Sequence, residues 1–290
     1  MANLRDIRRR IGSVKNTKQI TSAMKLVAAA KLRKATEKAL AARPYQDALS
    51  GVLQSVGGRA GDVSNPLLES HDTVTNVVVV VFGSDKGLCG GFNNGLFRDA
   101  EKFIKGVEAD GKTVTLRTYG KKARSYFNAR GYTLTSSEIE LDPKAYMDHV
   151  HALADHLVGD FNTESVDEVY LAFNAFKSVM TQSPSYSKVL PLALEDAEDA
   201  SDSAAQADFA FEPNGQELIN TLLPLYLQGI LLQAFLETEA GEHASRMTAM
   251  DSASRNASDL IDSLTLQFNR ARQAAITTEI IEVVSGAAAL

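Results

Sequence analysis

Apolar positions change rhythm along the 290-residue chain, which has one pattern at its two ends and another between them. From Leu4 to about Val56 they recur at alternating three- and four-residue steps: Leu4, Ile7, Ile11 and Val14, then Thr21, Ala28, Leu32, Ala35, Ala39, Ala42, Leu49, Leu53 and Val56. A 3.5-residue period predicts one helix with a seam suited to a left-handed coiled coil. The middle of the seam is irregular. Lys18 and Lys25 fall in it, while Ile20, Met24, Leu26 and Val27 point elsewhere, which leaves a second apolar face to be covered. From about Gln216 to Val284 the same spacing returns at Leu218, Leu222, Leu225, Gly229, Leu232 and Leu236, and more weakly at Met250, Ala257, Leu264, Ala271 and Ala275. At 1.5 Å per residue these helices would be roughly 80 Å and 100 Å long. No domain within this chain could bury them, so they are expected to pair antiparallel and to lean on partners. Pro44 is expected to bend or break the first, and Pro224 with Gly229 to kink the second.

Between them the rhythm changes. Asn76–Phe82 is a near-continuous apolar run, as in a strand buried on both faces. Phe92–Glu108 reads as a helix, Thr113–Tyr119 as a strand, Lys121–Asn128 as a helix and Tyr132–Leu141 as extended chain. A helix is predicted from Pro143 to about Phe161, a strand over Val166–Ser178 and an edge strand over Ser187–Leu194. Strands alternating with helices indicate an α/β unit with a largely parallel sheet. The expected division is therefore an N-terminal coiled-coil helix (1–58), an α/β domain (74–194), an acidic loop (195–212) and a C-terminal coiled-coil helix (213–290).

Charge sharpens this picture. The net charge is −6, yet residues 1–34 hold ten Lys or Arg against one acid, Asp6. That end carries +9 and leaves −15 for the remainder, including seven acids and no base in 195–212. A basic end on an acidic chain points to an acidic partner surface, nucleic acid or a membrane face. Residues 1–44 contain no aromatic platform, which argues against nucleic acid. Cys89 is the only cysteine, so no intrachain disulfide is possible. No run of eighteen apolar residues and no secretory signal is visible, so no membrane span is expected.

Candidate chemistry is sparse. The Gly-rich segment Gly83–Asn93 sits between a buried strand and a helix, where backbone amides can cradle phosphates. It matches neither established phosphate-loop spacing. Lys86 and a helix N-terminus could activate Cys89, but His71, His149, His151, His156 and His243 form no partner motif, so a buried structural thiol is the expectation. His149, His151 and His156 do not share one helical face and predict no metal site. A stand-alone α/β enzyme with coiled-coil oligomerisation arms is the alternative class, with this Gly-rich loop as its only candidate site.

Three separated stretches carry a resemblance: Leu4–Ile11 (LRDIRRRI) with Asn16–Lys31, Ser84–Asn93 (SDKGLCGGFN), and Arg246–Met250 with Asn269–Thr277 and Glu282–Ala289. In order and over the full length they resemble the gamma subunits of rotary ATP synthases. The resemblance implies a long antiparallel coiled coil with a central α/β, Rossmann-like domain. It also implies the role of central stalk, turning inside a ring of alpha and beta subunits so that proton flow drives ATP synthesis, or hydrolysis runs in reverse. No catalytic, cofactor or metal site is implied. The implied partners are the alpha, beta and epsilon subunits and the membrane rotor ring, with no nucleic acid and with membrane association only through the complex. The implied place is the cytoplasmic face of the bacterial inner membrane rather than the mitochondrial matrix face. Met24, Lys25 and Arg246, with Gln273, Thr277 and Glu282 further along, match the family's partner-contact regions, and the small-residue tail Ser285–Ala289 matches the end held in an apolar sleeve.

Overall fold

A computed structural model describes residues 4–57, 64–193 and 215–288. The acidic loop 195–212 lies outside the described residues. Ten elements follow in chain order: α1 (Leu4–Gly57), β1 (Asn76–Phe82), α2 (Phe92–Ala109), β2 (Thr113–Tyr119), α3 (Lys121–Asn128), β3 (Leu134–Glu138), α4 (Tyr146–Asn162), β4 (Glu168–Phe176), β5 (Gln182–Leu190) and α5 (Gly215–Ala288). The long terminal helices and the α/β centre are as the periodicity predicts. Both helices run unbroken through their prolines, Pro44 and Pro224.

The chain forms two compact units. One is made of the first part of α1, to Ala30, and the last part of α5, from Arg246. Here Ile7, Thr21 and Ala28 are buried on α1, and Met250, Ala257 and Leu264 on α5. Lys25 pairs with Asp251, and Arg8 lies over the Phe268 ring at 5.4 Å, which fixes an antiparallel order. Small seam residues let two backbones approach closely, and the longer ones interlock between them.

The other unit, Lys31–Ser245, contains the sheet, in the order β3-β2-β1-β4-β5. All pairs are parallel except β4–β5. The valines of β1 alternate between two cores. Val77, Val79 and Val81 face Leu96, Phe97, Ile104 and Phe127 of α2 and α3. Val78, Val80 and Phe82 face Val150, Leu153 and Leu157 of α4 and the start of α5. A continuous valine run is what a two-faced burial requires.

Three local expectations shift. The helix after Pro143 begins only at Tyr146, because Asp142 closes a turn first: its carboxylate accepts from Lys144 N–H and its carbonyl from Ala145 N–H. The edge strand starts at Gln182, five residues before Ser187, and pairs as a hairpin with β4; Pro184 is tolerated because the strand lies at the sheet edge. The buried stripe at the start of α5 is Ile219, Leu223, Leu227 and Leu231 rather than Leu218, Leu222, Leu225 and Leu232, which are only partly covered or exposed. This helix packs on α4 and the sheet as well as on α1, and the larger surface sets its rotation.

One buried carboxylate ties the sheet together. Asp167 accepts hydrogen bonds from the backbone N–H of Asn76 (2.7 Å) and Thr75 (2.8 Å), from the Thr75 hydroxyl and from His71 Nδ1 (2.8 Å). Burial pulls its pKa upward, but these donors outweigh burial and hold it at about 2.

Candidate functional site

Two features stand out in chemistry or exposure: the Gly-rich loop and the outer face of the helix pair. The loop after β1 is closed on itself. Ser84 N–H donates to Asn93 Oδ1 (3.1 Å), Asn93 Nδ2 donates to Ser84 Oγ (2.7 Å), and Ser84 Oγ donates to the Lys86 carbonyl (2.7 Å). Cys89 is 2% exposed, and its sulfur also receives Asn93 Nδ2 at 3.3 Å. Asp85 accepts from the backbone N–H groups of Lys121, Glu140 and Leu141 and so pins two further loops. Gly83 has no room for a side chain, since a Cβ would stand 2.7 Å from Phe97 Cζ, and Gly120, at φ +97, is pressed against the Gly83 carbonyl. These glycines serve close packing. The Ser84 backbone N–H, one of the groups that could face a phosphate, is taken by Asn93. What the loop does present is Leu88, in the left-handed region at φ 63 and 63% exposed.

On the helix pair the sequence-derived contact residues fall into two sets. Met24 and Lys25 are half-buried on α1, and Arg246 on α5 is 9% exposed. Lys25 Nζ stands 2.6 Å from Asp251, which also takes Arg255 at 3.0 Å. The Lys25 hydrogen bond, ahead of the nearby Arg255 charge, lowers the Asp251 pKa. Lys25 is therefore held in place by the opposite helix while a good part of it stays open to solvent. The second set, Gln273, Thr277 and Glu282, is exposed, with the Thr277 hydroxyl turned back onto the Gln273 carbonyl at 2.9 Å. Arg246 and Gln273 are 27 positions apart on one helix, about 40 Å at 1.5 Å per residue, so the two sets lie in separate parts of the helix pair.

Around them lies apolar surface that no described residue covers. Ile20 (60%), Leu26 (68%) and Val27 (58%) are exposed on α1, as are Ile276, Ile280, Ile281, Val283 and Val284 near the end of α5. Beyond Ala275 every residue through Ala287 is exposed. Apolar side chains repeated along one face of a soluble helix mark an interaction surface. The off-seam residues of α1 showed this face in the sequence. Asp251 as the anchor of Lys25 and Asp85 as the pin of the loop did not show, because nothing local in sequence marks a partner 226 or 36 residues away.

A family profile described as ATP synthase matches residues 3–290. The gamma chain of Solibacter usitatus ATP synthase is 46% identical over 293 residues, covering 100% of this chain and 99% of that one. The gamma chain of Trichlorobacter lovleyi is 42% identical over 287 residues, covering 99% and 98%. This chain belongs to the ATP synthase gamma chain family. Among solved structures, the central stalk and c-ring assembly of Tetrahymena thermophila mitochondrial ATP synthase holds a chain with 25% identity and a TM-score of 0.60, covering 81% of this chain and 99% of that one. A chain from Euglena gracilis mitochondrial ATP synthase matches with a TM-score of 0.64 and 17% identity over 99% and 94%, which speaks to the fold. The role that follows from the family is that of the central stalk of a rotary ATP synthase, in a membrane-associated complex.

Proposed function

We propose that this chain works without catalysing anything itself, as a shaft whose outer face is read by a surrounding ring of alpha and beta subunits. The observation that carries this reading is the exposed apolar face of a helix pair whose inner seam is already filled. Ile20, Leu26 and Val27 need a cover that the described residues do not supply. Met24, Lys25 and Arg246 form one zone of contact with the ring, and Gln273, Thr277 and Glu282 another. Like sites arranged around one asymmetric shaft each meet a different surface at a given moment. A surface shifts a conformational equilibrium only by its differential contact energy, and moving a site from 1:99 to 99:1 takes about 5.5 kcal/mol. Several buried apolar side chains and a few polar contacts reach that magnitude.

At its other end the chain meets the epsilon subunit and the membrane rotor ring, so that proton flow turns the shaft. The complex sits at the cytoplasmic face of the bacterial inner membrane, and this chain touches the membrane only through its partners. The enzyme alternative has less support, since in the Gly83–Asn93 loop Ser84 and Asn93 are hydrogen-bonded to each other and Asp85 is engaged by backbone N–H groups of neighbouring loops. The test is reconstitution of the alpha and beta ring with and without the full chain. ATP hydrolysis should rise and become rotation-coupled when the chain is present; a ring that hydrolyses ATP identically in both cases would end this reading.

A further inference from the structure

Within the Lys31–Ser245 unit a cavity of about 440 Å³ opens among α1, α4 and α5. Sites for small molecules fall in this size range. Its walls are apolar: Ala39 and Ala42 from α1, Leu225, Leu232 and Leu236 from α5. Gly229 keeps it open, because Gln46 lies where a Cβ on Gly229 would be. Polar side chains line it as well, Tyr45, His151 and Gln233 among them, and three of these polar groups, Arg43, Gln46 and Gln228, have no hydrogen-bond or ion-pair partner among the described residues. The one carboxylate in the lining is already engaged. Glu237 accepts from Phe176 N–H at 3.0 Å and from Gln233 Nε2 at 2.8 Å. The uncommitted charge at the cavity is therefore positive, and it is carried by a guanidinium, which offers only donors in a planar fork.

We propose that this cavity binds an amphiphilic monoanion, a medium-chain carboxylate whose head pairs with Arg43 and the Gln46 and Gln228 amides and whose hydrocarbon lies against Leu225, Leu232 and Leu236. The carboxylate matches the guanidinium in a bidentate pair. A cationic head would meet Arg43 as a like charge, and a neutral one would leave it unpaired. At about 30 Å³ for each water-sized group the cavity takes roughly fifteen non-hydrogen atoms, which suits a ten- to twelve-carbon chain and is too small for a helix of a protein partner.

The test is calorimetric titration of the full chain with decanoate below its micellar concentration, with decyltrimethylammonium and decanol as the cationic and neutral arms. Saturable one-to-one binding of decanoate is expected, together with roughly tenfold weaker binding to Arg43→Gln, the loss of about one charge-assisted pair. Arg43 is exposed, so this variant keeps its fold. Ala42→Phe, which fills the cavity, should abolish binding while the circular dichroism stays helical; if that variant unfolds, Gly229→Ala, which drives Gln46 into the cavity, takes its place with the same expectation. No decanoate binding, equal uptake of the ammonium amphiphile, or unchanged affinity in Arg43→Gln would each overturn the proposal.

Discussion

Asp167 has four donors aimed at one carboxylate, and their effect has a definite sign. Its pKa, near 3.8 in an unfolded chain, is about 2 in the fold. The stabilisation is therefore complete above about pH 4 and is lost as pH falls through the folded value. The shift corresponds to about 2 kcal/mol. Asp167→Asn should lower the stability of the α/β unit by about that amount at pH 7 and by progressively less toward pH 2. Urea unfolding followed by tyrosine fluorescence measures it cleanly, because the chain has no tryptophan and all eight tyrosines lie within residues 31–245. A gap that stayed constant from pH 7 to pH 2.5 would contradict the role given to this carboxylate. Lys25 works at the same scale with another purpose. Its pairing with Asp251 selects one direction for a long, flexible side chain and leaves the head partly open. In the proposed contact with the ring, holding Lys25 in place before a partner arrives would reduce the ordering cost at the interface.

At the scale of elements, α1 was legible and α5 was only half so. Ile7, Thr21, Ala28, Leu32, Ala35, Leu49 and Leu53, all predicted as seam, are buried, and Ile20, Leu26 and Val27, all predicted off it, are exposed. The period works there because the helix spends most of its length against one other helix. The start of α5 rests on three neighbours at once, so no single 3.5-residue stripe describes it, and the chosen stripe fell one or two positions away. The strands of the parallel sheet were legible from valine runs and alternation, whereas β5, with Gln182, Ser183, Pro184 and Ser185 at its start, has no apolar signal to read. Of the candidate site, the residue types were visible and their partners were not. The end of α5 yields a prediction of its own. From Ile276 to Ala287 its side chains are exposed among the described residues, and the last of these are Ser285, Gly286 and Ala287. Small side chains offer a turning end little to catch on. Ala287→Phe should slow rotation of the assembled complex at saturating ATP, with helix content unchanged, as seen in single-particle rotation assays; an unaltered speed would mean that the tail bears no close wall.

The whole molecule separates charge as firmly as it separates structure. The basic excess at the start of α1 lies on a helix whose inner edge is committed, and its arginines have unequal freedom. Arg8 lies over Phe268, and Arg9 pairs with Asp6 across one turn in full exposure. Arg10 has no partner among the described residues. An exposed pair such as Arg9–Asp6 adds little to the stability of the helix, so most of the charge of Arg9 and Arg10 remains for a partner surface. A diffuse positive field speeds encounter with an acidic partner surface without creating a single deep minimum that would stall a turning shaft. Arg9→Gln with Arg10→Gln, leaving Arg8 on its ring, should therefore slow assembly with the alpha and beta subunits at low salt. It should bring the rate toward that of the unaltered chain at high salt, where the Debye length falls to about 3 Å at 1 M. Turnover of the fully assembled complex should change much less than the assembly rate. The distinguishing measurement is the salt dependence of assembly, followed by recovery of ATPase activity on mixing. Equal slopes for the two chains would place the basic face in solvent and assign the encounter to the apolar stripe of Ile20, Leu26 and Val27 alone.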